Sequence, residues 1–239
     1  MVSIVASSSH IAFDMPGLEN RDEKINIDVG DEYRGTLFGN YLEAMNYADY
    51  AFGVFVEELK SAGLYDDSVI LIFGDHAGMQ MYNEEMIDYI NKFQPFNDIQ
   101  TQINYSNVLC ALKIPGVDHI QITKPTSRLD IKPTLMQICG IEDEFSLGQS
   151  MFSSKDFVCI NTGRIITDKY FYNIDWYLIE TGEQINVQQL PQEEQDKLNF
   201  YVECMQKELD ISLSINILNL LKWTMWDVSS NCLIWYNEG

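Results

Sequence analysis

The strongest constraint on the fold is a long amphipathic helix pattern followed by a short apolar run that ends in two chemically active residues. Apolar side chains recur every three or four positions in residues 36–61, which predicts a helix that Gly63 is suited to end. The run "SVILIFG" (68–74) lies between turn signals and has the length of one buried strand. A helix followed by a buried strand predicts an α/β fold with a mostly parallel central sheet flanked by helices.

The remaining apolar segments extend this α/β pattern. "NVLCALKIPG" (107–116) predicts another strand, and "SRLDIKPTLMQICGI" (127–141) predicts a short helix with Asp130 as its N-cap candidate and Gly140 as its stop. The other expected elements are a short strand at Val2, Ile4 and Val5, a weaker helix in 83–96, a small C-terminal antiparallel meander in 157–163 and 169–181, and a polar helix in 191–209.

The charge balance narrows the classes of partner. The chain carries 15 Lys and Arg against 36 Asp and Glu, a formal net charge of −21. Such a surface repels nucleic acid and anionic lipid headgroups, so we expect no nucleic-acid partner. An anionic substrate would need local positive charge, which a bound cation can supply.

The cysteines and the chain start give weaker information. Five cysteines occur in 239 residues, none in a C-x-x-C pair, so we expect neither a disulfide framework nor a zinc cluster. No basic and apolar leader follows Met1, and no run approaches the roughly 18 apolar residues of a membrane helix. We therefore expect neither a signal peptide nor a transmembrane segment in this chain.

The charged end of the apolar run, Asp75 and His76, is the main candidate site. In open α/β sheets, ligands bind beyond the carboxyl ends of parallel strands, and a carboxylate buried there needs a cation or several donors. The small residues Ala77 and Gly78 allow the chain to turn so that both side chains face one ion. An oxygen ligand with an imidazole suits Mn, Zn or Fe. A turn-capping Asp75 beside a structural histidine is the alternative, and the dipeptide alone does not decide between them.

A second histidine, His10, follows the first apolar stretch in "SSSH". It is a candidate hydrogen-bond donor or cation for a phosphate or sulfate, or else an ordinary turn residue. Common catalytic motifs are absent from the sequence: G-x-x-x-x-G-K-[ST], G-x-G-x-x-G, G-x-S-x-G and H-E-x-x-H do not occur, nor does a C-x-[PS]-x-R nucleophile.

Several segments, in order, resemble the lipoteichoic acid synthases, which are sulfatase-like members of the alkaline phosphatase superfamily. "GNYLEAMNYADYAFGVFVEELKSAGLYDDSVILIFGDHAG" is similar to the family's segment through its metal motif, and "SRLDIKPTLMQICGI" to its D-I-x-P-T-L helix. "SSSHIAFDMP" resembles its S-H-x-P-[FY] turn, and "LGQSMF" and "NTGRIITDKYFY" resemble later segments. The resemblance implies an alkaline-phosphatase-like fold.

The resemblance also implies an activity and roles for individual residues. The family moves glycerol phosphate from phosphatidylglycerol to a growing polymer, outside the cell and anchored in the membrane, through a covalent threonine beside one Mn or Mg ion. By position, Asp75 and His76 resemble two metal ligands and His10 resembles the histidine that contacts the substrate phosphate. Gln80 lies where the family often has a residue that contacts glycerol.

The departures from the family pattern are as informative as the match. The family's nucleophilic threonine and a glutamate ligand lie upstream of the turn that here begins at residue 7, so we expect a catalytic domain truncated at its N-terminal side. Ala12 stands where the family has proline, and Ser150 where it has Asp. We predict that residues 1–222 are the C-terminal part of this domain and leave the aromatic tail, 223–239, unassigned.

This organisation predicts part of a metal-dependent phosphoglycerol transferase that is inactive alone and holds its cation weakly, with the missing N-terminal half as a candidate partner. Two alternatives stay open. One is a fragment of a sulfatase- or phosphatase-type ester hydrolase, and the other is a degenerate domain that binds without turnover.

Overall fold

The computed structural model describes residues 2–6, 10, 13, 27–76, 92, 97–142, 146–160 and 163–218. The chain divides into two compact units, Met1–Gln121 and Ile122–Gly239. The predicted helix in 83–96, except for Lys92, and the tail 223–239 lie outside the described residues.

The first unit is built on helix α1, Leu37–Ser61, which confirms the helix predicted over 36–61. The helix begins at Thr36, whose hydroxyl accepts a hydrogen bond from the backbone N–H of Gly39 at 3.1 Å. Gly63 follows its last turn with φ of +69°, a conformation that glycine adopts without steric cost. The capping residue and the terminal glycine therefore define both ends of the helix.

Two short strands follow, and their direction differs from the prediction. Strand β1, Ile70–Phe73, pairs with β2, Cys110–Lys113, in an antiparallel register that sets Ile70 opposite Lys113 and Phe73 opposite Cys110. All strand pairs among the described residues are antiparallel, so the predicted parallel pairing is not seen in this part of the chain. A four-residue apolar run fits either direction, because the alternation of side chains is the same in both.

Burial and the first residues also differ from expectation. Strand β1 is half-buried, and its last residue, Phe73, is 46% exposed. Residues 2–6 form no strand, and the side chains of Val2, Ile4 and Val5 are exposed. A second helix among the described residues of this unit, α2 (Asp98–Ser106), begins with a capping box between Asn97 and Gln100.

The second unit contains the predicted antiparallel meander. Its strands are β3 (Phe157–Ile160), β4 (Arg164–Thr167), β5 (Tyr170–Asn173) and β6 (Asp175–Leu178), which pair in chain order. Helix α4, Gln192–Leu218, packs Leu198, Tyr201 and Met205 against this sheet. The helix runs nine residues past the predicted end at Leu209.

The "SRLDIKPTLMQICGI" segment forms a 3-10 turn and helix α3, Ile131–Ile138, but Asp130 does not cap the helix as predicted. Its buried carboxylate instead accepts hydrogen bonds from the backbone N–H groups of Ser127 at 2.8 Å and Gln149 at 2.9 Å. The hydroxyl of Thr134 accepts from the N–H of Met151 at 2.9 Å. Two buried polar side chains thus tie this helix to the "LGQSMF" segment.

Candidate functional site

The carboxyl end of β1 is shaped by a glycine. The N–H of Gly74 donates to the carbonyl of Leu109 at 2.9 Å, which extends the pairing one residue beyond β1. A Cβ at position 74 would lie 2.9 Å from the Cβ of Val108, closer than such atoms normally approach. Glycine therefore lets the two chains lie this close before the backbone bends at Asp75 and His76.

At this bend the side chains of Asp75 and His76 lie side by side. Oδ1 of Asp75 is 3.7 Å from Nε2 of His76. Two atoms that each bind one cation at about 2.1 Å can be at most roughly 4.2 Å apart, so this separation allows both to face the same ion. The turn at the strand end thus brings together two side chains that an extended strand would send to opposite faces.

Both side chains are open to solvent, which removes one of the arguments made from the sequence. The side chain of Asp75 is 78% exposed and that of His76 is 63% exposed. Because the carboxylate is not buried, desolvation does not require a cation beside it. What remains in favour of a metal is the donor chemistry, an oxygen and an imidazole nitrogen at metal-compatible spacing.

The described residues supply two metal donors at this bend. In the part of the chain that the structure describes, no group of three or more His, Cys, Asp or Glu side chains is arranged to hold a metal ion. A divalent cation in a protein usually takes at least four ligands. Asp75 and His76 therefore fit a cation as one part of a coordination shell, with water or other groups as the remainder.

The two predicted substrate contacts have different outcomes. His10 lies in the same unit as Asp75 and His76, with an exposed side chain, and its carbonyl accepts a hydrogen bond from the N–H of Phe13 at 2.9 Å. Gln80 lies outside the described residues. The roles of both residues stay predictions.

Lys113, which was not predicted from the sequence, stabilises the segment that leads into β1. The ammonium group of Lys113 donates to the carbonyls of Tyr65, Asp66 (2.9 Å) and Ser68 (3.1 Å), and lies 4.5 Å from the centre of the Tyr65 ring. These contacts tie the turn after α1 to the end of β2, directly opposite the start of β1. The signal available in the sequence was a single lysine within the otherwise apolar run "CALKIPG".

A pocket in the second unit is chemically different. It has a volume of about 210 Å³ and is lined mostly by apolar side chains of β3, α4 and the loops before α3 and β3. Its carboxylate, Glu208, is paired with Lys155 at 3.2 Å. Burial, with a smaller contribution from Glu208, raises the pKa of the Cys159 thiol to about 12, so this sulfur is a poor nucleophile. The pocket therefore offers packing surface, and the reactive side chains lie at the end of β1.

Comparison with known proteins gives a consistent set of relatives. A family model described as Sulfatase matches residues 1–141. The chain is 30% identical over 228 residues to the lipoteichoic acid synthase-like protein YvgJ of Bacillus subtilis, which covers 91% of this chain and 34% of the relative. It is 29% identical over 223 residues to a lipoteichoic acid synthase of Staphylococcus aureus, covering 90% of this chain and 32% of the relative.

A solved structure gives the same picture. The lipoteichoic acid synthase LtaP from Listeria monocytogenes matches with a TM-score of 0.68 and 27% identity, over 87% of this chain and 51% of that one. The chain spans about a third of the length of the curated relatives it matches.

Proposed function

The chain belongs to the sulfatase family, in its lipoteichoic-acid-synthase-like group, and we propose on that premise that it is part of a metal-dependent phosphoglycerol transferase that acts on phosphatidylglycerol. The predicted alkaline-phosphatase-like fold agrees with the match to LtaP.

The observation that carries the proposal is the adjacency of Asp75 and His76 at the end of β1. Their donor atoms lie 3.7 Å apart on a bend that follows Gly74, at the position of the family's metal motif. These two side chains are proposed to hold one divalent cation, Mn²⁺ or Mg²⁺. Such a cation supplies positive charge next to phosphoryl oxygens, in a chain whose net charge is −21.

The two other site residues, His10 and Gln80, are proposed to bind the substrate. The exposed imidazole of His10 donates a hydrogen bond to a phosphoryl oxygen, and Gln80 contacts the glycerol hydroxyls. Both assignments rest on the resemblance of "SSSHIAFDMP" and of the segment after Asp75 to the family pattern. The substrate is the glycerol phosphate headgroup of the lipid.

We further propose that the 239 residues alone do not turn substrate over. The family's threonine nucleophile and glutamate ligand lie upstream of the S-H-x-P-[FY] turn, and this chain has six residues before Ser7. Without a nucleophile no covalent phosphoryl intermediate forms. The proposed partner is the N-terminal half of the domain, which would supply those groups.

The proposed site of action is outside the cell next to the membrane, as the family resemblance implies. Among the helices of the described residues, none has the length and apolar character needed to cross a bilayer. The chain is proposed to contact lipid through the headgroup of its substrate.

The test combines a paramagnetic titration with a turnover assay. Mn²⁺ broadens NMR signals of nearby nuclei, so the imidazole signals of His76 should broaden at lower Mn²⁺ concentration than those of His119, an exposed histidine that serves as an internal control. The Asp75→Asn variant should need more Mn²⁺ for the same broadening of His76. A fluorescent phosphatidylglycerol analogue should stay intact with wild-type chain and Mn²⁺.

Two results would contradict the proposal. Equal broadening of the His76 and His119 signals would show that Mn²⁺ does not bind specifically at His76. Release of glycerol phosphate from the analogue by the purified chain would show that the chain is active alone. Hydrolysis of a simple sulfate or phosphate ester would instead favour the hydrolase alternative.

A further inference from the structure

The turn that carries His10 is anchored by a buried aromatic residue in an unfavourable backbone conformation. Phe13 has φ of +61° and is 3% exposed. Among the described residues the other non-glycine with positive φ is Ile174, which is 84% exposed at the tight turn between β5 and β6. A hairpin explains Ile174, but Phe13 lies in no hairpin of the described chain.

Packing against α1 offsets the strain at Phe13. Its ring meets the ring of Tyr41 edge to face, with the centroids 5.2 Å apart and the planes at 72°. Tyr41 belongs to the first half of α1, and burial raises the pKa of its phenol. A strained conformation persists where surrounding contacts determine it, and here the contact is a ring pair with a long helix.

The same residue is bonded directly to His10. The N–H of Phe13 donates to the carbonyl of His10 at 2.9 Å, which links the backbones of these two residues. The backbone of His10 is therefore tied to Phe13, and Phe13 is tied to α1. His10 itself is exposed to solvent.

We propose that Phe13 and Tyr41 are positioning residues that hold the His10 turn for binding the phosphate group of the substrate. The inference rests on the anion-binding role that the proposed function gives to His10. An exposed imidazole on a flexible turn loses conformational freedom when it binds a ligand. On a turn that is already packed against α1, the imidazole has lost that freedom before binding, so binding costs less entropy. The ring pair thus acts on affinity through His10 and touches no substrate atom.

The experiment uses five variants of the full chain, of which Phe13→Gly serves only in the first readout. Phe13→Leu removes the aromatic ring, and Tyr41→Leu removes its partner from the other side of the contact. Phe13→Tyr keeps the ring and is the conservative rescue. Phe55→Leu, a half-exposed aromatic later on α1, is the matched control.

The first readout is the backbone order of His10, which needs no ligand. From ¹⁵N relaxation we expect an order parameter of about 0.85 in the wild type, in Phe13→Tyr and in Phe55→Leu. Phe13→Leu and Tyr41→Leu should fall below about 0.6. A Phe13→Gly variant should also fall, because glycine relieves the positive φ but contributes no ring.

The second readout is binding of inorganic phosphate, followed by the imidazole chemical shifts of His10. The dissociation constant should rise roughly tenfold in Phe13→Leu and stay within about twofold in Phe13→Tyr and Phe55→Leu, since preorganisation of the turn is what differs. Circular dichroism at the temperature of the titration establishes that each variant is folded.

The outcomes separate this inference from the proposed function. A His10 order parameter that stays at the wild-type value in both Phe13→Leu and Tyr41→Leu would overturn the positioning role. A phosphate dissociation constant that does not change in Phe13→Leu would also overturn the positioning role, but it would leave the anion-binding role of His10 intact. A wild-type His10 that does not respond to phosphate would overturn both.

Discussion

At the scale of single residues, the candidate site depends on what lies beside the functional side chains. The sequence predicted that Asp75 and His76 would face the same point, because a chain that turns no longer alternates its side chains. The contacts of Lys113 were not predicted. The three carbonyl groups that accept its hydrogen bonds lie in the turn after α1, and no residue pattern specifies the backbone path of that turn. The sequence also placed Asp75 in a buried setting, and the exposure of β1 shows otherwise.

The close approach at Gly74 gives a prediction at this scale. Gly74→Ala should lower the free energy of unfolding by about 1–2 kcal/mol, because its Cβ would lie 2.9 Å from the Cβ of Val108. Urea unfolding measures the change. In the double variant with Val108→Ala, part of the loss should be recovered, since the neighbour that the new methyl group meets has been shortened. Strictly additive losses would show that the contact with Val108 is not the cause.

At the scale of elements, helix limits were predictable where capping residues mark them. Thr36 and Gly63 define α1, and both are visible in the sequence. Helix α4 was predicted too short because the end was placed at Leu209, although no glycine or proline interrupts the residues up to Leu218. The direction of the β1–β2 pair was not predictable, since short apolar strands read alike in both arrangements.

Helix α1 offers a matched pair of glycine substitutions. Gly39→Ala should destabilise the chain by about 1–3 kcal/mol, because its Cβ would lie 2.0 Å from the carbonyl oxygen of Tyr33, a backbone atom. Gly53→Ala, at a position where the new methyl group meets no atom within 4 Å, should stabilise it by up to about 1 kcal/mol. Thermal unfolding of both variants tests this. Equal effects of the same sign would contradict the packing of α1 against the preceding turn.

The contact between β3 and α4 is expected to depend on pH. Tyr201 donates its hydroxyl to Asp156 at 2.7 Å, and Lys197 lies 2.7 Å from the other carboxylate oxygen. Partial burial opposes ionisation of Asp156, but the hydrogen bonds from Lys197 and Tyr201 outweigh it and lower its pKa. A carboxylate with a lowered folded-state pKa contributes stability above its unfolded pKa and loses it as the pH falls through the folded value.

Tyr201→Phe should therefore cost about 1 kcal/mol in free energy of unfolding at pH 7, a modest value because Asp156 is half exposed. The cost should shrink once the pH is well below about 4, where the carboxyl becomes protonated. Urea unfolding at both pH values measures it, with Tyr177→Phe in the same meander as control. A cost that is the same at neutral and acidic pH would contradict a charge-assisted bond.

At the scale of the whole molecule, the family was predicted correctly, because the order of several motifs carries more information than any one of them. The family model and the match to LtaP agree with that order. Whether the site is complete could not be predicted from the sequence, because metal ligands that lie close together in space come from distant positions in a chain. Among the described residues two candidate donors, Asp75 and His76, lie side by side, and no group of three or more is present.

Calorimetric titration of the 239-residue chain with Mn²⁺ tests the central claim most directly. Two protein ligands on an exposed bend should give weak binding, with a dissociation constant above about 10 μM, since water must complete the coordination shell. The double variant Asp75→Asn, His76→Gln should abolish that binding, while Asp118→Asn, on an exposed loop of the same unit, should leave it unchanged. Sub-micromolar binding by the wild-type chain, or weak binding that survives in the double variant, would contradict the assignment of Asp75 and His76 as part of a larger cation site.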